Sequence, residues 1–188
     1  MKNKMMAVYF LILLFSTNIA SASAILQKFD SAPLKQQIIE SVKADKVTNV
    51  KLIGNQSFSV SKNDNLIGFI IPLKGKLKEM QSVCMIAWSQ DGKKLTNLIS
   101  TVGFGDWQSV TCAGVNAVGV VSGKESSDIK IGVIYHTMTR FNDSYDYYIL
   151  GVDEQKRALF YDKETTDKLE NSTAKNIPEL RRDVQNKK

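Results

Sequence analysis

The sequence predicts a single α+β domain whose sheet is mainly antiparallel. Several short segments alternate apolar with polar residues, tight-turn residues separate these segments, and helical periodicity is confined to positions near the two ends. The chain has no internal repeat and no low-complexity linker, which favours one continuous domain over residues 25–188. The charged residues at its C-terminal end are expected to fray.

Residues 1–24 have the features of a cleaved signal peptide. Two lysines near the start precede an apolar run over residues 5–15, and small residues with Ala-x-Ala motifs ending at Ala22 and Ala24 follow. The apolar run is shorter than the roughly 20 residues that a permanent membrane helix needs, so an uncleaved anchor is the lesser alternative. We therefore expect a periplasmic or secreted protein, without stable membrane insertion after cleavage. The style of this leader and the lysine-rich, arginine-poor composition indicate a bacterial protein.

The charge balance is mildly basic. The chain has 25 Lys and Arg against 19 Asp and Glu, a net charge of +6, and loss of the leader with its two lysines lowers this to about +4. A nucleic-acid binder needs a concentrated basic face, and this sequence has none. We expect no nucleic-acid partner.

The first element of the mature chain is predicted to be an amphipathic helix of about three turns. Ser31 can cap it, and Pro33 is tolerated in a first helical turn. Leu34, Ile38 and Val42 follow at steps of four residues, with polar residues opposite. This apolar stripe is expected to pack on the sheet.

From Val47 the period of the pattern changes to two, which predicts short strands at residues 50–53, 58–60 and 66–71. Pro72 is expected to end the third strand because proline cannot donate to a ladder. The lysine-rich residues 74–78 are then predicted to form a basic loop.

The segment from Val83 to Cys112 is the most informative, because it contains the only two cysteines and the only two tryptophans. Asp91-Gly92 is typical of a tight hairpin turn, and it separates predicted strands at residues 83–88 and 95–102. A third strand at 107–112 would complete a meander with Cys84 and Cys112 on its outer strands. In an oxidising compartment the two cysteines are expected to form a disulfide, and two buried thiols are the alternative. The closed loop of about 29 residues would contribute roughly 3.5 kcal/mol.

The rest of the chain is predicted to be a second run of strands followed by a helix. We expect strands at residues 115–121 and 129–138, turn material at 140–146, a hairpin of 147–152 with 158–161, a helical turn within 162–169, and a short helix at 179–184.

No catalytic motif stands out, and we expect no cofactor, no metal and no catalytic residue. The single histidine, His136, falls within a predicted strand, and the sequence has no G-x-S-x-G nucleophile motif. Asp143 and Asp146 lie in an aromatic-rich turn, and paired carboxylates of this kind occur in sugar-cleaving enzymes. A small periplasmic hydrolase that uses these carboxylates with His136 on envelope polymers is therefore the alternative interpretation.

Two loops instead carry residue types that dominate protein interfaces, where tryptophan, tyrosine and arginine are over-represented. The candidate partner-binding residues are Phe104, Asp106, Trp107, Arg140, Phe141 and Tyr145. Core packing of Trp88 and Trp107 against the cysteines is the competing interpretation for the tryptophans. The sequence thus favours an exported, non-enzymatic binding protein, an inhibitor or immunity-type protein that occludes a toxin or lytic enzyme. A structural or adhesion factor of the envelope is a further alternative.

Overall fold

The computed structural model describes residues 24–124, 126–139 and 142–186, which form two antiparallel sheets and three short helices. The N-terminal sheet contains β1 (Ile25–Lys28), β2 (Val47–Leu52), β3 (Phe58–Lys62), β4 (Asn65–Leu77), β5 (Gln81–Ser89) and β6 (Leu95–Ser100). The C-terminal sheet contains β7 (Thr111–Val120), β8 (Ile129–Met138), β9 (Asp143–Asp153) and β10 (Ala158–Tyr161). The helices are α1 (Lys35–Ser41), α2 (Lys163–Asp167) and α3 (Ile177–Asn186). The predicted α+β class with mainly antiparallel strands is confirmed.

The two sheets pack face to face, and helices cover their outer faces. The layer between the sheets includes Trp88, Ile131, Tyr135, Tyr148 and Leu150. The apolar stripe of α1, which the sequence predicts, packs on the outer face of the N-terminal sheet through Leu34, Ile38 and Val42. Leu180 and Val184 of α3 cover the outer face of the C-terminal sheet. Each sheet is thus buried on both faces over its central strands.

The long strand β4 organises the N-terminal sheet, and it corrects two sequence predictions. It continues through Pro72 and includes Lys74, so the predicted strand end and basic loop are wrong there. β3 pairs with the first part of β4 and β2 with the last part, on the edge opposite β5. Pro72 lies between these two pairings, and its carbonyl accepts a hydrogen bond from Ile53 N–H (2.8 Å) on that edge. Its nitrogen points the same way, into the gap between β2 and β3, where proline costs no ladder hydrogen bond.

The predicted disulfide is present, but the three-stranded meander is wrong. Cys84 lies on β5 of one sheet and Cys112 on β7 of the other, with their Cα atoms 5.7 Å apart and both residues fully buried. After β6 the chain turns at Gly103 (φ 93°), passes through a 3₁₀ turn over Gly105–Trp107 and enters the second sheet. The disulfide therefore joins the two sheets rather than two strands of one sheet.

The second hairpin, the helical turn and the C-terminal helix lie close to their predicted positions. The hairpin's first strand, β9, begins at Asp143, so part of the predicted turn at 140–146 is strand. No helix among the described residues has the length and apolar character that crossing a bilayer would require. The predicted signal peptide lies outside the described residues, apart from Ala24.

Candidate functional site

A cleft of about 480 Å³ opens beside β9, just beyond the end of β10. We call it the β9 cleft. Three segments line it: the 3₁₀ turn after β6, the first half of β9, and the chain from the end of β10 through α2. Its lining residues are Asp106, Trp107, Tyr145, Asp146, Tyr147, Tyr161, Lys163, Thr166, Asp167, Leu169 and Glu170.

Asp162 fixes the helical wall of the β9 cleft. Its carboxylate accepts hydrogen bonds from the backbone N–H (3.0 Å) and the hydroxyl (2.7 Å) of Thr165, which caps the N-terminus of α2. The same carboxylate pairs with Lys130 Nζ of β8 at 2.7 Å. Burial raises the pKa of Asp162, but the hydrogen bonds from Lys130 and Thr165 outweigh burial and hold it below its usual value. α2 is thereby anchored to the sheet beside β9.

Stacked aromatic rings form the inner wall. The ring of Tyr148, which belongs to the layer between the sheets, stacks on Tyr161 with centroids 4.0 Å apart and an interplanar angle of 19°. Trp107 meets the same ring at 6.1 Å and 59°. Burial raises the pKa of the Tyr148 hydroxyl, so this ring stays neutral at physiological pH. Trp107 and Tyr161 are thus held in place by a buried partner before any ligand arrives.

The polar residues of the cleft are mainly acidic, although the whole chain is basic. Four carboxylates contribute to the lining, those of Asp106, Asp146, Asp167 and Glu170. The single basic side chain of the lining, Lys163, is 2.7 and 2.9 Å from the two carboxylate oxygens of Asp167, and this hydrogen bonding raises its pKa. The cleft therefore has an excess of negative charge.

The structure brings three of the six candidate partner-binding residues together. Asp106, Trp107 and Tyr145 all line the β9 cleft, although about 40 residues of sequence separate the tyrosine from the other two. Phe104 does not contribute, because it packs half-buried against the cluster that α1 covers. Arg140 and Phe141 lie outside the described residues.

The two tryptophans differ in environment. Trp88 is a fully buried core residue whose indole N–H donates to the Arg157 carbonyl at 2.8 Å. Trp107 is half-buried: it packs against the inter-sheet core and also lines the cleft. Trp107 therefore makes the core contact that one interpretation predicts, and its role in binding stays a prediction.

The candidate hydrolase residues do not converge. His136 Nε2 lies 3.5 Å from an Asp143 carboxylate oxygen on the outer face of the C-terminal sheet, where both side chains are well exposed. Asp146 projects from the opposite face, because its strand partner is Tyr135 of the core, and it accepts a hydrogen bond from the Thr137 hydroxyl at 2.6 Å. The described residues also contain no group of three His, Cys, Asp or Glu side chains placed to hold a metal ion.

Sequence reasoning missed the lining residues from the last residue of β10 onward, namely Tyr161, Lys163, Thr166, Asp167, Leu169 and Glu170. One signal was available: Asp162, a favoured N-cap residue, directly follows a predicted strand, and the acidic residue Glu164 comes two positions later. That pattern indicates a helical turn but gives no information about which strand the turn packs against.

Comparison of the chain with protein-family models, with curated proteins and with solved structures gives no significant match in any of the three. The residues of the β9 cleft are therefore the basis for proposing a function.

Proposed function

We propose that this protein is an exported binding protein without catalytic activity that captures another protein in the β9 cleft. More specifically, we propose a periplasmic inhibitor or immunity-type protein that occludes a toxin or a lytic enzyme. The observation that carries this proposal is the convergence of Asp106, Trp107 and Tyr145 on one cleft.

The aromatic wall supports a binding role. Trp107 and Tyr161 are both fixed against the buried ring of Tyr148, so little conformational entropy remains to be lost when a partner covers them. Tryptophan and tyrosine in partly desolvated pockets are also the residue types that contribute most to protein–protein affinity.

Charge and compartment support the narrower proposal. A basic face would attract a toxin or lytic enzyme to an anionic envelope, and the acidic cleft would complement such a face. A fully buried disulfide between the sheets is compatible with an oxidising compartment, as is the leader-like N-terminal sequence.

The test is affinity capture by the immobilised mature chain from envelope fractions and from lysates of neighbouring cells, followed by identification of stoichiometric partners. Each partner is then purified, and its dissociation constant and its inhibition by this protein are measured. Trp107→Ala is expected to weaken binding about 30-fold, as for a hot-spot residue. The matched control is Phe160→Ala, which removes a half-exposed ring of β10 that does not line the cleft and should change binding less than about threefold.

Equal effects of the two substitutions would remove the cleft from the binding surface. Turnover of a cell-wall fragment by the purified chain, without any protein partner, would favour the hydrolase alternative. Retention on peptidoglycan, again without a protein partner, would favour the adhesion alternative.

A further inference from the structure

One edge of β9 changes from paired to open along the strand. β10 pairs with β9 only between Leu150 and Asp153. The backbone of the next residue on that edge, Ile149, still has hydrogen-bond partners. Its carbonyl accepts a hydrogen bond from Asp162 N–H (2.9 Å), and its N–H donates to the Thr166 hydroxyl (3.0 Å). Among the described residues no strand pairs with this edge between residues 143 and 148.

The geometry of an antiparallel ladder places the next backbone groups in the cleft. The N–H and C=O of one residue point to the same side of a strand, and residues two apart point the same way. The register between β8 and β9 is continuous, so Tyr147 and Tyr145 direct their backbone groups to the edge that Ile149 occupies. Both residues line the β9 cleft, and no described residue bonds to these groups.

An open strand edge of this kind is a template for a further strand, and proteins usually block it with charge, a bulge or a covering segment. Here α2 and the 3₁₀ turn flank the edge without covering it, so that it becomes one side of the cleft. Main-chain pairing with such an edge gives affinity for an extended segment of any sequence, and the neighbouring side chains determine which segment is preferred.

The side chains of the cleft select a basic segment. Asp106, Asp146 and Glu170 have no basic counterpart in the lining other than Lys163, which is bonded to Asp167. The faces of aromatic rings add attraction for a cation. An acidic segment would meet like charge on entry.

We propose that the β9 cleft takes an extended, basic segment of a partner protein, which adds to the open edge of β9 as a further strand. One or more lysine or arginine side chains of this segment lie among the carboxylates and the aromatic rings of the cleft. The inference rests on the proposed function in that the added strand belongs to the captured protein.

The backbone test compares Tyr145→Pro with Tyr145→Ala in the full mature chain. Both variants lose the phenol ring, but only proline also loses the outward N–H, and its place on an open edge removes no hydrogen bond to β8. The probe is a phage-displayed library of random 12-residue peptides selected on the unmodified protein. The selected peptides should be rich in Lys and Arg, should bind Tyr145→Ala within about tenfold of the unmodified protein, and should bind Tyr145→Pro at least fivefold more weakly than Tyr145→Ala.

The charge test uses the same selected peptides with two charge reversals. Asp106→Lys changes the cleft, whereas Asp45→Lys makes the same change at an exposed turn outside the lining. The first should lower affinity at least tenfold and the second less than twofold.

A third measurement does not depend on whether the proline variant folds. Amide hydrogen exchange of Tyr145 and Tyr147 should slow at least 50-fold when a selected peptide is bound to the unmodified protein. Unchanged exchange at these two amides would overturn strand addition, and selection of acidic peptides would overturn the basic character of the added segment. Capture of a protein partner that depends on Trp107 would still stand in that case. Conversely, protected amides with no protein partner from any lysate would retain the strand site and remove the proposed function.

Discussion

The two halves of β9 share the partner strand β8 on one edge, but they differ in the pairing of the other edge and in burial. Both pair with β8 in continuous register. In the half from Ile149 to Asp153, β10 and the start of α2 with its cap close the other edge, Leu150 is fully buried, and the Phe160 ring packs directly on Gly151. In the half from residue 143 to 147 that edge is open, and Tyr145 is 37% exposed.

The difference teaches that the position of the candidate site depends on where β10 stops. β10 has four residues and β9 has eleven, so seven positions of β9 extend past it. Asp162 directly follows β10 and is also the N-cap of α2. The chain therefore turns into a helix at this point and does not continue as a strand along the edge of β9. The closed half should therefore contribute stability and the open half recognition.

The largest expected effect contrasts one residue from each half. Leu150→Ala should lower the free energy of unfolding by about 2–5 kcal/mol, because it leaves a cavity between the sheets. Tyr145→Ala should lower it by less than about 0.5 kcal/mol, as for an exposed side chain. Urea unfolding followed by tryptophan fluorescence measures both. Similar losses for the two variants would contradict the division of roles.

Removal of the disulfide should affect the open half most. Cys112 is the strand partner of Thr137, which in turn pairs with Ser144, so the covalent link lies in the same cross-strand row as the open half. The double variant Cys84→Ala with Cys112→Ala should lose about 3.5 kcal/mol of stability.

Amide hydrogen exchange of the same double variant can compare the two halves of β9 directly. Exchange should accelerate more at Ser144 than at Leu150. A uniform acceleration along β9 would show that the two halves open as one unit.

A smaller effect on stability is expected at Asp162, whose backbone N–H bonds to Ile149 at the end of the closed half. Asp162→Ala removes the cap of α2 and should lower stability by about 1 kcal/mol. Asp162→Asn keeps a capping side chain but loses the charge opposite Lys130, so it should cost less. Asp167→Asn is the matched control on the same helix, and its exposed ion pair with Lys163 predicts a change below about 0.5 kcal/mol.

The pH dependence of stability should separate these variants further. Because the pKa of Asp162 lies below its usual value, its stabilising contribution is fully present above about pH 4 and is lost as the pH falls through the folded-state pKa. Between pH 5 and pH 2, Asp162→Asn should therefore lose less stability than the unmodified protein. An identical acid dependence would mean that the contacts with Lys130 and Thr165 do not favour the ionised over the protonated carboxyl in the folded state.

Local signals in the sequence were sufficient for much of the fold. The apolar stripe of α1, the Asp91-Gly92 hairpin and the C-terminal helix each depend on neighbouring residues, and each lies close to its predicted position. Pro72 was misinterpreted because its tolerance depends on two distant strands that leave a gap beside it. The meander failed for a similar reason, since no local pattern specifies that the chain changes sheets after β6.

The candidate site was predicted by residue type but not by position. Trp107 and Tyr145 were selected because such residues are common at interfaces, and Asp106 because it belongs to the same loop as Trp107; all three share one cleft. Phe104 has the same kind of side chain but faces the α1 cluster, which a loop sequence without regular periodicity does not reveal. The open edge of β9 has no sequence signal at all, because it depends on the relative lengths of two paired strands.

The bond between Cys84 and Cys112 has a consequence for the geometry of the β9 cleft. The 3₁₀ turn that lines one side of the cleft follows β6 of the first sheet, and the other sides belong to the second sheet, so the disulfide adds a covalent link to the core contacts that hold these sides together. A chain with reduced sulfurs would have the same lining residues but one fewer constraint on the distance between the sides of the cleft. If the proposed capture in the β9 cleft is correct, the reduced protein should bind its partner more weakly than the oxidised protein.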